Sequence, residues 1–306
     1  MASQSEVFGA FGKVKSFNEN NIQFAKRDEV FYFQSFPERW EALKGLEIAK
    51  SDRKIAFLVW ESSEVKEAFK GLEEFDEVWT ASQYCKDILD RGMGVESKVV
   101  GHFVNHYNAP VERGEVYRFM YMFDGRSRYI RKNPFDLIKA FKLAFGKRKD
   151  VSLTIKCKGL GESILQYLKR MSEGFNVDFM IEELSYVETM EMLNGCDCYV
   201  SPHRSEGFGL TLLEAMGLGK LVMGTGLGGN MDFMDEGNSV VLDFDIKETD
   251  DEFYPGEWGY VSVDHLVDSM RMASIGRLDE KRQAGFETAL DWGMSKGVRD
   301  TQKALG

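Results

Sequence analysis

From residue 116 onward, short apolar runs alternate with stretches whose apolar residues recur at helical spacing. That alternation restricts the chain to few architectures. VYRFMYMFD (116–124), VSLTIKC (151–157), VDFMIEE (177–183), CDCYVSP (196–202), KLVMGT (220–225) and SVVLDF (239–244) read as strands. NPFDLIKAFKLAF (133–145) and residues 163–172, 185–194 and 210–218 read as helices, with 262–274 and 279–294 closing the chain. Asn133 stands where an N-cap belongs, and Pro134 follows where a missing N–H costs nothing. Ser185 with Glu188 forms a capping box, and Gly195 ends that helix. Strands alternating with helices of this length require right-handed crossovers and a parallel sheet.

The first 110 residues repeat the pattern in shorter form. EVFYFQSF (29–36), KIAFLVWES (54–62), DEVWTAS (76–82) and KVVGHFV (98–104) read as strands, and the polar, turn-rich VNHYNAPVERGE (104–115) reads as a hinge. The expectation is two Rossmann-like, doubly wound α/β domains. Residues 1–110 form a small N-terminal one, 111–290 form the larger one, and a final helix in 291–306 packs back toward the first. Ligands of open parallel sheets sit beyond the carboxyl ends of the strands, so the cleft between the halves is the expected site.

The 306 residues include no apolar run of about 18, and the N-terminus lacks a secretory layout. Four cysteines, Cys85, Cys157, Cys196 and Cys198, show neither disulfide nor zinc spacing, which points to buried thiols and a cytoplasmic setting. A net charge of −11 opposes a global nucleic-acid footprint. Basic residues do concentrate between Arg126 and Lys158, starting in a loop after a strand, where phosphates are usually met. Arg128 and Arg131 read as part of a solvated face.

SPHRSEGFGLTLLEAMGLGK (201–220) carries the most chemistry. Glu206 lies at a strand's carboxyl edge, Gly207 and Gly209 allow close backbone approach near a helix start, and Glu214 follows two turns on. Carboxylates accept from paired hydroxyls, so the layout suits a sugar or ribose. The segment resembles the E-x7-E donor site of glycosyltransferase family 4, retaining enzymes of GT-B fold that use nucleotide diphosphate sugars. By that resemblance Glu206 and the backbone of Gly207, Phe208, Gly209 and Leu210 hold the transferred sugar, and Glu214 holds the ribose. FDGRSRYIRKNPFDLIKAF (123–141) resembles the family's diphosphate segment, which assigns Arg126 and Lys132 as donor-binding and catalytic. Two cations beside a helix start make a phosphate site on physical grounds as well. TGLGGNMDFMDEGNSVVL (225–242) resembles the family's glycine loop, whose amides approach the diphosphate through Gly228, Gly229 and Asn230. Gly224, Gly226 and Gly229 also satisfy G-x-G-x-x-G, but no acidic residue at a following strand end completes a dinucleotide fingerprint.

The N-terminal half carries fewer signals. LVWESSEV (58–65) and EFDEVWTASQYCKDIL (74–89) resemble a pattern from a branch of the family, with Trp60 and Trp79 as core and Glu61 facing the cleft. His102 ends the last N-terminal strand and is the candidate histidine; His203 is expected to be positional. FGAFGKVKSFNENN (8–21) resembles the loop bordering the acceptor site, which assigns Gly9 and Gly12. The resemblance implies no protein nucleophile, with the leaving phosphate taking the acceptor's proton. No Asp-x-Asp run occurs in a donor-like context, so neither metal nor other cofactor is expected. The acceptor stays open among glycan, lipid, protein and modified nucleobase. Two alternatives stand beside this one: a non-catalytic nucleotide-sugar binder, and a nicotinamide-dependent oxidoreductase or epimerase.

Overall fold

The computed structural model describes residues 30–34, 45, 50–65, 72–105, 107–108 and 114–306. Among them, the N-terminal half is a four-stranded parallel sheet in the order β1 (Val30–Phe33), β2 (Arg53–Leu58), β3 (Glu77–Thr80), β4 (Lys98–Val99). Helix α1 (Gln83–Met93) connects β3 to β4, and the Ser82 side chain caps it by accepting from the Cys85 amide. Of the stretch 98–104 expected as one strand, only two residues pair in the sheet. The backbone then turns away to meet the chain's end, where Val104 bridges Gly293 and its N–H donates to the Trp292 carbonyl at 3.0 Å.

The second half winds both ways. In chain order it comprises β5 (Tyr117–Asp124), the one-turn α2 (Tyr129–Lys132), α3 (Pro134–Phe145), β6 (Val151–Lys158), α4 (Glu162–Ser172), β7 (Val177–Met180), α5 (Tyr186–Asn194), β8 (Cys198–Ser201), α6 (Leu210–Gly217), β9 (Leu221–Thr225) and β10 (Val240–Leu242). The sheet order is β10-β9-β8-β5-β6-β7, all parallel, and the winding reverses between β5 and β8. Strand β5 sits at the centre with Phe119, Met120, Tyr121, Met122 and Phe123 buried on both faces, the near-continuous apolar run that a doubly covered parallel strand requires. Trp60 and Trp79 are core residues.

The run expected as one strand over 239–244 divides. Leu242 ends β10, and Phe244 opens a separate antiparallel hairpin, β11 (Phe244–Thr249) with β12 (Gly256–Val261). The closing helices are α7 (Val263–Ser274), α8 (Asp279–Asp291) and α9 (Met294–Leu305). The helix expected over 279–294 breaks at Trp292–Gly293, where Val104 takes the Trp292 carbonyl. Helix α9 lies against the N-terminal sheet: Lys98 Nζ donates to the Ala304 carbonyl at 2.7 Å and Arg53 to that of Leu305 at 3.3 Å. No helix among the described residues is long and apolar enough to cross a membrane.

Candidate functional site

Because the winding reverses between β5 and β8, the loops leaving their carboxyl ends diverge around a crevice, the usual ligand position in such sheets. The β5 loop contributes Lys132. Tyr121 on β5 donates its hydroxyl to the Lys132 carbonyl at 2.6 Å. The next residue, Asn133, takes a left-handed conformation (φ 55°) that asparagine tolerates, and its side-chain amide donates to the Pro202 carbonyl at 3.0 Å. These two bonds fix Lys132 against the β8 loop, and its Nζ reaches Glu206 Oε2 at 2.6 Å. Burial opposes ionisation of Glu206, but Lys132 and Arg131 outweigh it and pull its carboxyl down to about 2. Both side chains keep 15% exposure, so the pair faces the crevice without being sealed off.

Arg131 departs from the sequence expectation. It is fully buried, not part of a solvated face. Its guanidinium donates to the Ser205 carbonyl at 2.7 Å and the Ser127 carbonyl at 3.2 Å, stacks 4.8 Å from the Tyr254 ring, and stands 3.4 Å from Glu61 Oε1. The periodicity of a basic run cannot reveal this, because burial follows from the carbonyls of a distant loop. Glu61, just past β2, is pushed upward by its own burial and by Glu206, while Arg131 and Lys132 act in the other direction. The structure therefore gathers Lys132, Arg131, Glu206 and Glu61 into one charged cluster contributed by both halves. Arg126 lies outside it, 64% exposed and paired with Asp124 at 2.6 Å.

The glycines of the β8 loop serve packing between the halves. A Cβ on Gly207 would come within 2.7 Å of Val59 and 3.0 Å of the Trp60 carbonyl. The Gly207 carbonyl accepts from Ser82 Oγ at 2.6 Å and Cys85 Sγ at 3.2 Å. Gly229 packs so closely that any Cβ would overlap the Gly207 carbonyl. Its amide, expected to approach a diphosphate, donates instead to the Glu206 carbonyl at 2.8 Å. Gly228 needs its positive φ of 118° to let this loop pass Glu206. Asn230 is buried and donates to the Thr225 carbonyl at 3.0 Å. The G-x-G-x-x-G glycines thus include one that seats the β8 loop; Gly224 lies within β9, the fifth strand of its sheet in chain order, and Gly226 and Gly229 follow it, with no dinucleotide-type opening.

Phe208 is buried edge-on to His102 (centroids 5.0 Å apart) and beside Phe233 and Trp292, so only its backbone can meet a ligand. Burial lowers His102 to about 4, leaving a neutral ring packed between Phe208 and Phe57. Gly209 takes φ 86° at the start of α6, and Leu210 follows half-buried. His203 accepts from Ser201 Oγ (3.0 Å) at Nδ1 and donates to the Leu227 carbonyl (3.0 Å) from Nε2; the carbonyl partner fixes that tautomer. It ties the β8 loop to the glycine loop, a positional role.

Glu214 stands apart from the cluster. It is buried in α6, accepts from the Tyr186 hydroxyl at 2.9 Å, and burial raises it to about 7, only partly offset by that bond. Sequence reasoning missed Tyr186, Tyr121 and Tyr254. Tyr186 heads α5 at the mouth of its loop, and Tyr121 shares a strand face with Phe119 and Phe123, positions where a hydroxyl needs a partner.

The hairpin spans the halves. Tyr254 packs on Trp60 with centroids 5.5 Å apart, Ser62 donates to the Pro255 carbonyl, and the Glu257 amide donates to Ser63 Oγ at 2.6 Å. Arg128, at φ 63°, pairs with Asp251 at 3.1 Å and covers the Phe253 ring at 4.3 Å. Weak period-2 patterning, with six consecutive charged or polar residues at 247–252, hid this hairpin in the sequence. Gly9 and Gly12 lie outside the described residues. No group of three or more His, Cys, Asp or Glu among the described residues could hold a metal ion.

Residues 120–250 match the family model described as glycosyl transferases group 1. The chain is 26% identical over 173 residues to the UDP-N-acetylglucosamine–peptide N-acetylglucosaminyltransferase GtfA subunit of Streptococcus gordonii, covering 52% of this chain and 32% of that protein. Its fold is similar to that of a S. aureus TarM mutant solved with fondaparinux, α-GlcNAc-glycerol and UDP (TM-score 0.69, 14% identity, 87% of this chain and 53% of that one). It is similar also to the lipopolysaccharide outer core galactosyltransferase WaaB in apo form (TM-score 0.64, 17% identity, 99% and 79%). The chain thus spans about a third of the curated relative it matches and about half of TarM.

Proposed function

Starting from a GT-B chain whose residues 120–250 carry the glycosyl transferases group 1 signature, we propose that it is a retaining glycosyltransferase of family 4 that takes its sugar from a UDP-sugar. The observation that carries this reading is the Lys132–Glu206 pair at 2.6 Å in the crevice where the sheet reverses. A cation beside an ionised carboxylate matches a donor that presents a diphosphate next to a hydroxyl-rich sugar. Lys132 meets the diphosphate, releasing Glu206 to accept from the sugar hydroxyls. Arg126 joins Lys132 by leaving its pair with Asp124, an exposed contact that solvent screens and that is readily given up. Positive charge fixed in place before the reaction is what a departing diphosphate requires. Glu214, behind Tyr186 in α6, takes the ribose hydroxyls. No metal enters this account, and the setting is the cytoplasm.

The names of the relatives support a uridine donor: the S. gordonii protein is a UDP-N-acetylglucosamine-dependent transferase, and TarM was solved with UDP. Calorimetric titration with UDP-, GDP-, ADP- and dTDP-sugars tests the reading, with NMR of any product for its anomeric configuration. UDP-sugar binding and an axial product from an axial donor are expected. No binding by any of the four, or an inverted product, overturns it.

A further inference from the structure

We propose that Arg131 is a positioning residue for the donor sugar: its buried guanidinium keeps Glu206 in place and anionic once Lys132 has turned to the diphosphate. The inference rests on the glycosyl-transfer reading above and concerns how the donor is held.

Two adjacent residues of α2 take different surroundings. Lys132 ends on the Glu206 carboxylate and keeps 15% exposure, whereas the Arg131 side chain has none. Arg131 grips the β8 loop at consecutive residues just before Glu206. Its carbonyl accepts from the Arg204 amide at 2.7 Å, and its guanidinium donates to the Ser205 carbonyl at 2.7 Å. The same guanidinium reaches the Ser127 carbonyl at 3.2 Å and Glu61 at 3.4 Å, and it lies 4.8 Å from the Tyr254 ring. One side chain therefore joins the β5 loop, the β8 loop, the N-terminal half and the hairpin. Its Nε is buried with no hydrogen-bond partner among the described residues. A buried cation with a donor left unmade is a poor choice for stability alone, where apolar side chains of similar volume serve as well.

Charge explains the choice. In the structure Lys132 pairs with Glu206 and Arg131 with Glu61, which also accepts from its own amide. A bound donor changes this balance, because its diphosphate takes Lys132. Burial then opposes the ionisation of Glu206, and each of the two carboxylates disfavours the charge of the other. Arg131 is the cation that stays, since it is anchored away from the crevice and a guanidinium does not lose its proton in a protein. The other titratable groups that act on or are acted on by Glu206 supply no positive charge near neutrality. His203 is lowered to about 4 by burial, and burial raises the hydroxyls of Tyr121, Tyr199 and Tyr254. An anionic Glu206 accepts from sugar hydroxyls on both oxygens, in bonds about twice as strong as neutral ones. A protonated Glu206 would turn one oxygen into a donor and lose that charge.

The test compares UDP-glucose and UDP-N-acetylglucosamine with the methyl ester of uridine diphosphate, which has the same charge and no sugar. Calorimetry with the full chain from about pH 6 to 9 gives the ratio of affinities, which is what the sugar adds. In the unaltered protein this ratio should stay constant over the range. In Arg131→Gln it should fall about tenfold at the acid end and recover as pH rises, with the methyl ester bound within about threefold of the unaltered protein. Arg131→Lys restores the charge and should restore the constant ratio. If Arg131→Gln fails to fold because Glu61 is left buried without its partner, Arg131→Gln with Glu61→Gln removes the pair together and should show the same recovery. A ratio in the Gln variant that matches the unaltered protein throughout, or is reduced equally at every pH, overturns the assignment. So does a Lys variant that follows the Gln variant, or a ratio in the unaltered protein that itself falls toward pH 6. Each of these leaves the transfer reading intact. If the unaltered protein binds none of the three ligands, the transfer reading falls and this assignment with it.

Discussion

Glu206 and Glu214 are eight residues apart and both largely buried, yet they sit at opposite ends of carboxylate behaviour. Glu206 is pulled down to about 2 because Lys132 and Arg131 outweigh its burial, whereas burial raises Glu214 to about 7 and the uncharged Tyr186 hydroxyl offsets only part of that rise. Spacing alone makes them a pair; the loops around them make one a permanent anion beside a cation and the other a group that carries a proton through much of the neutral range. The difference lies in the β5 loop, which delivers cations to the β8 loop and none to α6.

The largest expected effect comes from removing the cation on which the Glu206 side depends. Lys132→Ala should lower donor consumption about a thousandfold while the fold stays intact, as for loss of a preorganised charge at a leaving group. Unchanged turnover would remove Lys132 from the site. It would also leave Glu206 buried without its closest counter-ion, so acid titration of that carboxyl should move upward.

Next comes the packing that holds the Glu206 loop. Gly229→Ala forces a Cβ into the Gly207 carbonyl and against Ser82, and should cost about 2 kcal/mol or more. Thermal unfolding checks this. A melting temperature within a degree of the unaltered protein would show that the contact between the glycine loop and the β8 loop is softer than described.

An effect confined to the alkaline side separates Glu214 from Glu206 by pH. The Glu214 carboxyl holds its proton more tightly in the folded chain than the ordinary value of 4.5 allows. Its contribution to stability is therefore fully present below 4.5 and lost as pH rises through about 7. Glu214→Gln, which keeps an oxygen for Tyr186, should match the unaltered protein near pH 4.5 and exceed it at pH 8 by roughly 3 kcal/mol at most. Equal stability at both pH values would mean that Glu214 is ionised at little cost.

The C-terminal half was legible because its signals are local. Alternating runs place β5 to β9, Ser185 and Glu188 cap α5, and the Glu206–Glu214 segment reads as a strand-loop-helix. What the sequence hid depends on contacts between distant segments. Arg131 looks like one more surface cation until the Ser205 carbonyl buries it, 74 residues on. Gly207 and Gly229 look like ligand-facing glycines, yet each leaves room for backbone from another loop. The hairpin was hidden because its inner face packs on Trp60 and Arg204, not on a sheet, which leaves little alternation to read. Strands β1 to β4 are short, and two of them end where the chain turns to meet the other half or the C-terminus, so their limits follow tertiary contacts.

The central claim is that Lys132 reads the diphosphate and Glu206 reads the sugar. Calorimetric titration of UDP and of a UDP-sugar against Lys132→Ala and Glu206→Gln tests it directly. Lys132→Ala should weaken both ligands tenfold or more, an effect of about 1.4 kcal/mol or greater. Glu206→Gln should bind UDP as the unaltered protein does and lose the added affinity that the sugar confers. Equal binding of both ligands by all three proteins would contradict the account.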